Sequence, residues 1–249
     1  MRRLELALVL LVVAGCSTGG HDRPGKASKG LSEDGSMNLG LGQGLLQAND
    51  IKRASERARM ALASDPGSAD VHALMAMIHA RNGLNDKATH EFDRALKLAP
   101  SNPSILNAHA AWLCEHGHYT QADAEFTRAL RDPAFAWRQQ GLSNAGRCAH
   151  LARHWSQAEA YLRKALELEP EDGPVLLLLA DSELQQGQIL EAQAFIQRRD
   201  SLGSDAQTLE LAARIEEAAN SPLGAARYRQ RLHDEFPDHV PAAQGARTP

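Results

Sequence analysis

The sequence predicts an all-α solenoid of about six stacked helix pairs, and three observations carry that expectation. An Ala, a large or aliphatic residue four later and usually Ala seven later recur down the chain. The anchor alanines Ala54, Ala88, Ala122, Ala158, Ala192 and Ala225 are spaced 34, 34, 36, 34 and 33 residues apart. The composition, 43% hydrophobic but only 4% aromatic, suits helices packed through small side chains.

Taken in chain order, residues 1–15 read as a signal peptide. Arg2 and Arg3 form a positive start and Leu6 to Ala14 a short apolar run. That run is too short to span a bilayer, which needs about 20 apolar residues. Val13-Ala14-Gly15-Cys16 resembles the lipobox of bacterial lipoproteins, which makes Cys16 the lipidation site. Each buried methylene contributes about 0.8 kcal/mol, so several acyl chains, palmitate among them, would anchor the protein almost irreversibly. Ser17 rather than Asp follows the Cys, which points to the outer membrane, with the protein on its periplasmic face. Residues 16–35 are rich in Gly, Ser and charge and have no apolar period, the composition of a flexible tether. Such a coil has an r.m.s. span of about 24 Å.

The repeats occupy 36–238. The anchored segments are Ala54/Ala58/Ala61, Ala88/Phe92/Ala95, Ala122/Phe126/Ala129, Ala158/Leu162/Ala165, Ala192/Ile196/Arg199 and, weaker, Ala225/Arg229/Leu232. Prolines close the second helix of a pair at Pro66, Pro100, Pro170 and Pro237, with Pro133 displaced by one. Glycines mark the turn inside the pair at Gly83, Gly117 and Gly187. First helices are predicted near 37–47, 69–82, 103–116, 138–152, 173–186 and 205–219. Second helices are predicted near 51–64, 85–98, 119–131, 155–168, 189–199 and 222–235. Gly42 and Gly146 fall where two helices would approach closely. The segment Asp132 to Trp137 holds the two extra residues and is expected to tuck Phe135 or Trp137 onto the stack. Residues 239–249 read as a loose C-terminal tail.

This pattern resembles the tetratricopeptide repeat, which implies a right-handed superhelix. The middle of the chain carries more than generic repeat residues. Asn107, Trp112-Leu113-Cys114, Gly117, Tyr119 and Ala122, then Phe126, Ala129-Leu130 and Pro133, then Asn144-Ala145-Gly146 and Cys148-Ala149 resemble the type IV pilus biogenesis/stability lipoproteins of the PilF/PilW family. The lipobox, repeat count and two-residue insertion match as well. The resemblance implies a tetratricopeptide-repeat pilotin or stability factor, whose partners are the outer-membrane secretin PilQ or other type IV pilus components.

Cys114 lies eight residues before its anchor Ala and Cys148 ten before. In neighbouring helices that offset is a rotation of about 200°, so the two can face each other, as a bridge or as two unpaired buried thiols. The resemblance implies a disulfide. His116, His118, His150 and His154 raise the thought of a metal, but no H-E-x-x-H occurs and no further ligand is evident; no metal and no cofactor are expected. There is no G-x-S-x-G and no phosphate-cradling loop, so no enzyme and no small-molecule substrate are expected. Net charge is −4 with both signs interspersed, which leaves no nucleic-acid footprint.

What remains is a partner-binding groove lined by the first helices. Leu39, Gln43, Leu46, Met77, Asn107 and Arg147 are the residues expected there. Leu39, Leu46 and Met77 would make an apolar patch, and Asn107 and Arg147 could bond a peptide backbone or carboxylate. The alternative to a secretin or pilus factor is a general periplasmic scaffold for cell-wall or outer-membrane assembly proteins.

Overall fold

The computed structural model describes residues 30–133 and 135–239. The expected signal peptide, Cys16, most of the tether and all of the tail beyond His239 lie outside the described residues.

Twelve helices, with no strand among the described residues, make up one unit within Ser32–Pro249. The first helix of each pair is α1 (Glu33–Gln47), α3 (Ala69–Arg81), α5 (Pro103–Glu115), α7 (Arg138–Leu151), α9 (Gly173–Gln185) and α11 (Ala206–Ala218). The second is α2 (Ile51–Ser64), α4 (Asn85–Leu98), α6 (Tyr119–Leu130), α8 (Trp155–Leu168), α10 (Ile189–Ser201) and α12 (Pro222–Glu235). The body starts earlier than the apolar period suggests. Ser32 caps α1 by accepting from the Gly35 amide, so Glu33 and Asp34, read as tether, form its first turn. Two acidic residues there also suit the positive end of the helix dipole. Asp50, Ser68, Asn102, Asp172 and Asp205 cap α2, α3, α5, α9 and α11 in the same way.

Each pair turns over through one residue in the left-handed backbone region. Gly83, Gly117 and Gly187 do so with φ of 69°, 78° and 75°, and Asn49, Arg153 and Asn220 fill the same place with 58°, 60° and 55°. The turn therefore demands this conformation in all six repeats, whether or not glycine is there to adopt it without strain.

Odd helices pack on the even helix that follows, even helices on the next odd one, and successive odd helices on each other. Successive even helices keep their backbones apart and meet through long side chains, as Tyr161 and Asp123 do at 3.0 Å, so the odd helices line an inner side and the even helices an outer one. The anchor residues are the seams of this stack. Ala54, Ala88, Ala122, Ala158, Ala192, Phe92, Phe126, Leu162 and Ile196 are all fully buried. A Cβ on Gly146 would lie 2.5 Å from Leu162 Cδ2, and one on Gly42 2.8 Å from Leu74 Cδ2. Glycine is the residue that lets those helices meet. Of the two aromatics in the inserted loop, Phe135 tucks under Gly141, whereas Trp137 is 63% exposed.

Polar ties between repeats recur at the same period. The Ser32 hydroxyl donates to Asp65, Asn102 Nδ2 to Asp70 and Gln139 Nε2 to Asp172. Arg128 and Arg198 donate to the carbonyls of Pro100 and Pro170, the prolines that close the preceding even helix. Where the pattern substitutes Arg199 for Ala, the guanidinium turns to the Asp205 carboxylate at 2.6 Å.

Candidate functional site

The inner side is built by counting back from the left-handed turn residue. Six residues before it, one turn and a half up each odd helix, stand Gln43, Met77, Ala111, Arg147, Asp181 and Arg214. Ten before it stand Leu39, Ala73, Asn107, Ser143, Leu177 and Glu210. These two columns run along the side on which successive odd helices meet.

The expected groove residues divide between this open face and the seams. Gln43 is exposed and Met77 half-buried. Leu39 and Leu46, expected to form an apolar patch with Met77, are each only 8% exposed and belong to the core. Seven residues apart, they share the face of α1 that packs on its neighbours. The exposed apolar side chains of α1 are Met37 and Leu41 instead. The Asn107 amide oxygen accepts from Asn144 Nδ2 at 3.3 Å, which joins α5 to α7. Arg147 stands 3.5 Å from Glu115, and both are well exposed, so this ion pair is weak and the guanidinium fork still faces solvent. Cys114 and Cys148 are buried and joined by a disulfide, Cα atoms 5.7 Å apart, which staples α5 to α7 beside the face.

Towards the C-terminal repeats the inner side opens into a depression of about 270 Å³. Leu177, Leu178 and Leu211 form its apolar floor, and His150, Asp181, Glu210 and Arg214 its polar rim. The two columns, carried through to the last repeat, lead to Glu210 and Arg214; sequence reasoning stopped short of both. His150 reaches Asp181 at 3.3 Å through Nε2 and Ser182 at 3.0 Å through Nδ1, while Arg214 stands 3.5 Å from the other Asp181 oxygen. Burial alone would raise the Asp181 pKa. Hydrogen bonds from His150 and Gln185 and the charges of His150 and Arg214 outweigh it, so the carboxyl is held below its ordinary range. Asp181 is thus held ionised and already bonded by His150 and paired with Arg214.

One charged cluster lies off this face. Glu183 is fully buried, receives Arg163 Nη2 at 2.6 Å and leaves its second oxygen without a partner. Burial raises its pKa, and repulsion from Glu159 adds to this against the pull of Arg163. Arg163 also bonds Glu159 and lies 5.1 Å from the Phe195 ring centre, so the cluster knits α8, α9 and α10 together.

Other histidines lie against aromatic rings or at helix starts. Trp112 stacks on His109 and lies tilted against His116, with ring centres 5.7 and 4.5 Å away, and His109 bonds Glu125. His118 and His154 occupy the N-cap positions of α6 and α8. Among the described residues no three His, Cys, Asp or Glu side chains converge as a metal-ligand set.

Comparison with known proteins agrees with this geometry. Tetratricopeptide-repeat profiles match residues 39–103 and 149–215. The type IV pilus assembly protein PilF of Pseudomonas aeruginosa is 28% identical over 237 residues, 94% of each chain. The solved structure of PilW, described as a widely conserved type IV pilus biogenesis factor, superposes with a TM-score of 0.77 at 26% identity, covering 84% of this chain and 96% of that one. The structure of Pseudomonas aeruginosa PilF does so with 0.74 at 27% identity, covering 85% and 96%. The likeness to PilF and PilW seen around Cys114 and Cys148 extends along the repeat body.

Proposed function

We propose that this chain, a tetratricopeptide-repeat protein resembling PilF and PilW along nearly its whole length, holds a component of the type IV pilus machine without catalysing any reaction. The first candidate for that component is the outer-membrane secretin. The observation that carries this reading is the near-complete overlap with PilF, since a generic repeat match would not extend through the insertion at Asp132–Trp137 and both ends of the stack.

The physical mechanism is holding and placing. A face with half-buried Met77, exposed Gln43, the solvent-facing Arg147 fork and the leucine-floored depression offers apolar contact and hydrogen bonds to an extended or helical segment. Acylation at Cys16 would confine the complex to the inner surface of the outer membrane. Confinement raises the effective concentration of captured subunits for one another, so multimer assembly follows without new bond chemistry.

The test is a strain carrying Cys16→Ala, blotted for heat-resistant secretin multimers and fractionated for the protein itself. The expected result is loss of the protein from outer-membrane fractions and of multimers from the blot. Normal multimers and normal twitching motility in a strain lacking the whole gene would refute the reading. Capture of murein hydrolases or barrel-assembly proteins with no pilus component would replace it with a general envelope scaffold.

A further inference from the structure

We propose that the edge of the stack formed by the turns inside the helix pairs, at its C-terminal end, rests on a phospholipid surface through Leu190 and Leu223. These are the two most exposed large apolar side chains of the described residues, at 77% and 83%. Both sit two residues before the anchor alanine, as the second residue of α10 and α12. The matching positions of the first four repeats hold Lys52, Asp86, Thr120 and Ser156. The surface position that is polar four times becomes leucine twice, in adjacent repeats.

The surroundings change with it. Residues 184–190, between Glu183 and Glu191, and 218–226 carry no charge, whereas the matching stretches of the four earlier repeats hold Asp50 and Lys52, Arg81 and Asp86, Glu115, and Arg153. Leu84 and Leu151 stand on the same edge at 43% and 47% exposure, so the apolar row strengthens towards the C-terminus. The opposite edge also shows leucines, but its α8–α9 turn alone carries Glu167, Glu169, Glu171 and Asp172. Carboxylates at that density are repelled by the negative surface of bacterial phospholipid. The edge of Leu190 and Leu223 is therefore the better suited of the two to lie against a bilayer.

The way the leucines are presented favours lipid over a protein. Side chains more than three-quarters exposed sit in no groove, and protein hot spots are pocketed and rich in Trp, Tyr and Arg rather than Leu. A fluid acyl phase needs no complementary shape and accepts apolar side chains on uncharged turns. The inference rests on the proposed function in one respect, that the chain works beside a membrane.

The test adds the full purified chain to phosphatidylcholine vesicles, with and without phosphatidylglycerol, and reads amide hydrogen exchange and flotation. Slowed exchange confined to residues 185–191 and 218–224 is expected. Leu190→Gln with Leu223→Gln should lower the floated fraction of the unacylated chain by at least about tenfold, from the apolar area lost. Because both side chains are exposed, the melting temperature should not move. The proposal is overturned if the double variant floats as well as the parent, if slowing falls on 167–172 or on the inner face, or if it appears only when a pilus protein replaces the vesicles. Both the native chain and Cys16→Ala are used. A wrong assignment of the lipid anchor would show as a native chain without acylation, which leaves the leucine comparison intact.

Discussion

Replacing the turn residue of single repeats tests whether the left-handed conformation is a demand of the repeat or an accident of glycine. A Cβ at Gly83, Gly117 or Gly187 would meet nothing within 4 Å, so Gly→Ala there changes backbone preference and little else. The left-handed region costs a residue with a Cβ about 1–2 kcal/mol. The stiffer unfolded chain returns about 0.4–1 kcal/mol of this, which leaves each alanine variant destabilised by about 1 kcal/mol. Arg153 is the mirror case, an exposed side chain already held at φ 60°. Arg153→Gly should release the same strain and lose about 0.5–1 kcal/mol to glycine's freedom, for a net gain of up to about 1 kcal/mol. At roughly 2–4 °C per kcal/mol for a body of this size, thermal melts by circular dichroism should separate the two directions. A lower melting temperature for Arg153→Gly, or three neutral alanine variants, would refute the reasoning.

Removing the Cys114–Cys148 bridge by paired serine substitution opens a link spanning 34 residues; chain-entropy arguments give a loss of about 3–4 kcal/mol, readable by urea titration. Gly146→Ala drives a Cβ into Leu162 and should cost about 1–3 kcal/mol, and adding Leu162→Ala should make the second change cheaper than it is alone, a coupling a double-mutant cycle measures. The Asp200 carboxyl is pushed up by burial but pulled further down by Arg231 and Ser204, to below its ordinary 3.8. Its contribution to stability is therefore complete above that value and lost as pH falls through the lower folded-state value. Asp200→Asn should be less stable than the parent at pH 7, with the gap closing in denaturant melts taken below pH 3.8.

The repeat architecture was almost wholly legible because its causes are local and periodic. Prolines after the even helices and small residues at the seams mark each boundary, and the twelve predicted spans agree with the helices to within a few residues. The turn residue was most legible where it is glycine. Asn49 and Asn220 give a weaker signal, since asparagine tolerates this region better than other residues with a Cβ, and for Arg153 the register 34 or so residues from a glycine is the one clue. Faces were harder. Leu39 and Leu46 share a side of α1 by spacing, but whether that side looks to α3 or to solvent depends on how the pair is rotated in the stack. A helix with no repeat before it gives no second register to settle the rotation. Phe135 and Trp137 posed the same difficulty in a loop without period, and Gly141, which leaves room for one ring, decided it for Phe135.

The placement of the three tryptophans gives the molecule a built-in optical window. Trp112, Trp137 and Trp155 all belong to the third and fourth repeats, two of them against histidine rings, and Cys114–Cys148 clamps that same pair of repeats. Tryptophan emission, excited clear of Tyr228 in the last repeat, therefore reports on the clamped centre and is blind to fraying at either end, whereas ellipticity sums over every helix. The gap between the two unfolding curves becomes a direct gauge of how independently the outer repeats let go.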